Sequence, residues 1–249
     1  MNFIRHFLSN DSVFGRLMNR CGVLIISNLL FILCSLPIVT AGAGFTAMYY
    51  TMLKTLRGGG LNNRVLRTFW TGLKQNFKQA TIAWIIMLAL GVFLALELFW
   101  CSQMTGVLSL MRYGIMALLV VLVIIALYLF PVMAAFNGTL KELVVDSVYF
   151  AFTSPVNLVL ILFANFFPLF LTYANLELLP LSAFLWAMFG FGAVAMFCSS
   201  RLLPKFRPHL DAVDICGDVI DEDSVGDPNL ITHEESEEHT LDEMRKFGI

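Results

Sequence analysis

Glu97 and Arg112 are the ionisable residues expected within the membrane, one at the end of a long apolar run and one just before the next. Charge in hydrocarbon is expensive unless it is paired or hydrated, which makes such residues functional candidates by default. Both stand near the ends of their runs and flank the short turn Cys101–Ser109. A Glu97–Arg112 ion pair would close that hairpin, and long side chains near helix ends can reach water. Their position therefore predicts a structural or interfacial role rather than substrate binding. Reactive groups are otherwise scarce. The sequence holds no Gly-x-x-x-x-Gly-Lys-Ser/Thr loop, His-Glu-x-x-His pair or Gly-x-Ser-x-Gly elbow. His6, His209, His233 and His239 lie outside the apolar runs, and the five cysteines lack Cys-x-x-Cys spacing. Neither haem nor zinc between helices, nor a disulfide framework, is implied. No catalytic, cofactor-binding or metal-ligating residue is assigned; the expectation is a non-enzyme without cofactor or nucleic-acid partner.

The setting of these residues is a membrane. The chain is 58% hydrophobic and 14% charged, with a mean hydropathy of +0.78, whereas soluble domains are nearer a quarter charged. Long apolar runs without alternation predict an all-α, polytopic transmembrane bundle rather than a barrel. Charge is divided sharply: residues 1–208 carry +9 and residues 209–249 carry −11. This predicts a basic membrane domain over residues 1–208 and an acidic, flexible cytoplasmic tail over residues 209–249. In the tail Thr232 and Glu235 fit a capping box, and contact of the tail with the basic loops is expected from charge.

Gly22–Leu53 is an uncharged run of 32 residues, longer than the roughly 20 residues one crossing needs. It is interrupted at Ser35-Leu36-Pro37, and Pro37 removes a backbone donor and crowds the carbonyl of Leu33. Thr40, Gly42 and Gly44 follow, in a stretch of small residues that lets backbones approach closely. The run predicts two short helices folded against each other. Further runs at Thr81–Cys101, Ile115–Phe136, Asn157–Ala174 and Leu181–Leu203 bring the count to about six membrane segments. Basic residues stay on the cytoplasmic side; Arg5, Arg16 and Arg20 before the pair and the Lys54–Ala80 loop after it both satisfy this if the pair returns to the side it entered. Both termini are then cytoplasmic. A single bent span, with the N-terminus outside, is the alternative.

Leu61–Ala80 predicts a basic helix in the headgroup layer, with Leu66, Phe69, Trp70, Leu73 and Phe77 on one face and Arg64, Arg67, Lys74 and Lys78 toward the other. These four cations are expected to contact anionic lipid or a partner. Gly138–Ser154 is a second amphipathic connector, with Leu140, Leu143, Val144 and Val148 on its apolar face. Asn28, Asn137 and Asn165 are expected to hydrogen-bond across helices.

Met18-Asn19-Arg20, Asn28-Leu29-Leu30, Leu36-Pro37-Ile38-Val39-Thr40-Ala41-Gly42 and Ala47-Met48-Tyr49-Tyr50, followed by Lys74-Gln75-Asn76-Phe77-Lys78-Gln79-Ala80-Thr81, resemble the YesL family of bacterial membrane proteins. The resemblance is strong over the first 85 or so residues, looser to about Pro208, and does not include the acidic tail. It implies a bacterial plasma membrane and frequent genomic company with carbohydrate uptake systems; it carries no catalytic residues. The expected role is an accessory component that contacts carbohydrate transporter subunits, with an oligosaccharide carrier as the alternative.

Overall fold

The computed structural model describes residues 13–57, 64–103, 109–175, 177 and 179–209, and among them every regular element is helical. The acidic tail, its Thr232–Glu235 cap and the Gly58–Leu61 approach to the first connector lie outside the described residues. The helices are α1 (Val13–Ser35), α2 (Ala41–Leu56), α3 (Val65–Ser102), α4 (Met111–Ala135), α5 (Leu140–Thr153), α6 (Pro155–Ala174), α7 (Leu179–Leu185) and α8 (Phe191–Phe206). A 3₁₀ turn, Ile38–Thr40, joins α1 to α2, and a π-helical segment, Trp186–Gly190, joins α7 to α8.

The break falls where proline forbids helix continuation. Pro37 adopts an extended conformation, and α2 runs back against α1 with the Phe31 and Phe45 rings 4.4 Å apart. At 16 residues α2 is the shorter of the pair, yet it is the hub of the bundle, packing on α1, α3, α4 and α8. Small side chains make that possible. A Cβ on Gly42 would stand 2.8 Å from the Ala80 carbonyl oxygen of α3, so the two backbones meet where a larger residue has no room. Thr46 and Thr51, both fully buried, donate to the carbonyls of Gly42 and Ala47 on their own helix. Their hydroxyls therefore bring no orphaned polarity into the core.

The predicted headgroup-layer helix and the span after it form one uninterrupted helix. α3 runs 38 residues, about 57 Å at 1.5 Å per residue, because nothing between Val65 and Ser102 ends it: Gly72 and Gly91 are tolerated and no proline intervenes. Its apolar residues do not share one face as expected. Val65, Thr68, Phe69, Gly72, Leu73 and Ala80 are buried, while Leu66, Trp70 and Phe77 point outward beside the basic residues. The second connector is α5, which buries Leu143, Ser147, Phe150 and Ala151. It starts at a capping box in which the Thr139 N–H donates to a Glu142 carboxylate oxygen at 2.8 Å.

Among the described residues, five helical stretches are long and apolar enough to cross a membrane: Met18–Ser35, Val65–Ser102, Met111–Ala135, Pro155–Ala174 and Leu179–His209. The two-helix reading of Gly22–Leu53 holds in that α1 and α2 are separate and paired, but α2 falls short of that length.

Candidate functional site

Two irregularities in the backbone, one on each side of α1, organise the residues of interest. The first is the break. Irregular backbone at membrane depth must find hydrogen-bond partners inside the protein, and four carbonyls around Pro37 do, while the Ser35 hydroxyl is buried without one. Leu33 accepts from the Leu36 N–H at 3.4 Å, and Cys34 from the Thr40 hydroxyl at 2.5 Å. Pro37 accepts from the Thr40 N–H at 2.9 Å and the Thr40 hydroxyl at 3.0 Å. Ile38 accepts from Ala41 N–H and from the Trp84 indole at 2.7 Å. Thr40 thus ties both sides of the break together, and Trp84 of α3 clamps it. Gly42 and Gly44 are buried beneath, Gly44 against Phe31 and Cys34. The Phe31, Phe45, Trp84 and Phe130 rings continue the packing at centroid spacings of 4.4–6.1 Å. Outward, Leu36, Ile38 and Val39 are exposed, so the hairpin ends in an apolar tip.

The second irregularity is the π segment. Its wider turns misalign backbone groups with their α-helical partners, and such segments frequently mark functional positions. Asn28, fully buried on α1, supplies the missing partners. Its Nδ2 donates to the carbonyls of Trp186 at 3.1 Å and Ala187 at 2.6 Å, and its Oδ1 accepts from the Gly192 N–H at 2.9 Å. Close approach is permitted by Gly192, where a Cβ would lie 2.9 Å from the Leu24 carbonyl oxygen. Asn28 fulfils the expected cross-helix role, but its partner is backbone. A buried asparagine in an apolar run was the available signal; no local residue pattern announces a π segment 158 positions away.

Asn165 also bonds across helices, donating to the Cys198 sulfur at 3.6 Å and to the Ile161 carbonyl at 2.8 Å. The Tyr49 hydroxyl reaches the same thiol from α2. Asn137 is exposed.

The structure does not bring Glu97 and Arg112 together: among the described residues no ion pair joins them. Arg112 instead donates to the Tyr113 hydroxyl at 2.9 Å and lies over that ring, 4.8 Å from its centroid. Glu97 is exposed. Arg64, Arg67, Lys74 and Lys78 are all exposed along the first half of α3. The Lys74 ammonium sits 5.6 Å from the centroid of the Trp70 ring, a pairing of aromatic and cation characteristic of a membrane–water boundary. On α5, the Thr139 N–H and then its hydroxyl hold the Glu142 carboxyl below the usual carboxylate range. Among the described residues no group of three or more His, Cys, Asp or Glu is placed to hold a metal.

Helices of this length and apolarity around a buried central helix, α2, define a multi-pass, all-α membrane protein. Residues 24–98 match the model of a family described as a protein of unknown function, DUF624. The matched stretch runs through the second half of α1, the break, α2 and most of α3, the same segment that builds the hub. No curated protein and no solved structure matches the chain.

Proposed function

We propose that this protein is a non-enzymatic accessory component of a bacterial plasma membrane, associated with carbohydrate uptake through the YesL-like character of its first 85 residues. Both termini lie in the cytoplasm, and the first half of α3 presents Arg64, Arg67, Lys74 and Lys78 to lipid headgroups or to a transporter subunit. The observation that carries this reading over the carrier alternative is the state of the break. A carrier that used the Pro37 region would offer backbone groups to a solute, and the carbonyls of Leu33, Cys34, Pro37 and Ile38 already have partners within the protein. The exposed Trp70 and Lys74 pair on α3 supplies a basic and aromatic surface for such recognition.

The test is site-specific photocrosslinking from positions 70 and 78 in native membranes. Recovery of sugar-transporter subunits is the expected result. Crosslinks to lipid alone, under conditions that keep transporter complexes intact, would sink the accessory role. Oligosaccharide flux into liposomes that is abolished by Pro37→Ala would establish the carrier reading in its place.

A further inference from the structure

Hydroxyls inside the bundle mostly satisfy themselves. Thr46, Thr51 and Ser147 donate to the carbonyl four residues back on their own helices, a bond that a short side chain reaches by rotation about χ1. Among the described residues the buried hydroxyls of Ser27, Ser35, Thr81 and Ser199 lack a partner, and each stands one such rotation from the same bond. Tyr128 of α4 has no such recourse. It is fully buried, and its hydroxyl also lacks a partner among the described residues. The rigid ring carries that oxygen past the carbonyls of its own helix, and turning the ring about χ2 leaves it in place, because it lies on the axis of rotation. An orphaned hydroxyl is costly where no solvent reaches it, so its partner has to come from outside α4.

Tyr128 lies within electrostatic range of the Cys198 thiol of α8, which is a meeting point of polar groups. The thiol is fully buried. Asn165 of α6 donates to it at 3.6 Å, and the Tyr49 hydroxyl reaches it from α2. Four helices thus bring two phenols, a thiol and an amide to one region of the hub. What these groups offer defines the occupant they select. None carries a formal charge, so an ion would find nothing to offset its loss of hydration. Phenol and thiol each donate and accept, which suits a ligand that does both. The setting is enclosed, since Tyr128 and Cys198 have no exposed surface and Tyr49 is 6% exposed, so the ligand must be small. Water meets all three conditions. A buried water makes about three hydrogen bonds, the number that Tyr128, Tyr49 and Cys198 supply.

We propose that one internal water joins Tyr128 to Cys198 and Tyr49, accepting from the Tyr128 hydroxyl and donating to the Cys198 sulfur and the Tyr49 oxygen. Infrared spectra of hydrated membrane films in ordinary and heavy-oxygen water isolate the O–H stretch of water held inside the protein. The wild type should show such a band, and Tyr128→Phe should lose it. Tyr49→Phe keeps the Tyr128 hydroxyl and removes one acceptor, so it should shift the band rather than delete it. The S–H stretch that disappears in Cys198→Ala should move in both variants. In detergent, Y128F should unfold at a lower midpoint than wild type, because the water loses a partner. A hydroxyl without any partner predicts the opposite, since its removal relieves a burial cost. The wild-type water band persisting in Y128F, or a Y128F midpoint at or above that of wild type, would overturn the proposal. An S–H shift in Y128F without loss of a water band would assign a direct Tyr128–Cys198 bond in its place. Y49F carries the test if Y128F does not fold, and an unmoved band there would equally sink it.

Discussion

Helices α2 and α6 are both apolar, yet the bundle uses them in opposite ways. Eleven of the sixteen residues of α2 are buried, whereas Ile161 is the one buried residue of α6. α2 is built mainly from Ala, Gly, Thr, Met and Tyr; α6 mainly from Phe, Leu, Val and Ile. The less hydrophobic helix is thus the interior one. In water this would be perverse, but lipid tails are as apolar as leucine and give large side chains no reason to leave them. What earns the central position is close approach and internal hydrogen bonding. Gly42 admits α3, the threonines satisfy themselves on their own carbonyls, and Tyr49 reaches across to α8. Phe163, Phe166 and Phe170, by contrast, stay on the outer surface of α6.

The sharpest way to break that contrast is to enlarge a small residue in α2 and shrink a large one in α6. Gly42→Leu forces side-chain atoms into space held by the Ala80 carbonyl and Trp84, an overpacking that should cost about 3 kcal/mol. Leu169→Ala, on an exposed position of α6, should change stability by less than about 0.5 kcal/mol. Unfolding midpoints in detergent compare the two directly, and similar losses would end the distinction between hub and periphery.

A second test asks whether hydrogen bonding, and not packing alone, fixes the centre. Asn28→Leu keeps the volume but leaves the Trp186 and Ala187 carbonyls and the Gly192 N–H without their side-chain partner. A loss of about 2 kcal/mol is expected, and an unfolding midpoint equal to wild type would show that the π segment satisfies itself. The clamp on the break is weaker. Trp84→Phe retains a ring near Phe45 and Phe130 while removing the donor to Ile38. Because Ile38 still accepts from Ala41, about 1 kcal/mol should be lost. In an Ile38→Cys background the same change should speed thiol labelling at the tip, and an unaltered rate would remove Trp84 from its role.

The same contrast explains what could be read from the sequence. The break was legible because proline followed by Thr40, Gly42 and Gly44 leaves the backbone few choices, and packing rather than chemistry was the natural reading of those residues. The continuity of α3 was not legible: charge at Arg64, Arg67, Lys74 and Lys78 suggested a separate surface helix, although no residue after Val65 stops the helix. The apolar face of α3 was legible only in part. Phe69 and Leu73 turn inward, whereas Leu66, Trp70 and Phe77 stay outside beside the cations, where facing outward costs them little because lipid or interface surrounds them. Asn28 was visible as polar and its partner was not, because a π segment arises from tertiary contacts that one helix cannot encode.

The smallest effect expected lies at the edge of the bundle, where water restores ordinary rules. The Glu142 carboxyl of α5 titrates below the usual carboxylate value because its ionised form accepts the Thr139 N–H and, more weakly, the Thr139 hydroxyl lies nearby. A lowered folded-state value means that the unfolded chain binds the proton more readily. The contribution of the cap is therefore complete above the ordinary carboxylate value of 4.5 and fades as pH falls through the lower folded value. Amide exchange at Leu143, whose N–H bonds the Thr139 carbonyl at 3.0 Å, should accelerate in that window relative to the α2 amides, beyond the intrinsic pH trend. Thr139→Ala keeps the backbone donor to Glu142 and removes the hydroxyl, so it should weaken the first turn above the window while leaving part of the pH dependence. Glu142→Gln should abolish that dependence altogether. Unchanged pH dependence in E142Q would remove the Glu142 cap as its cause.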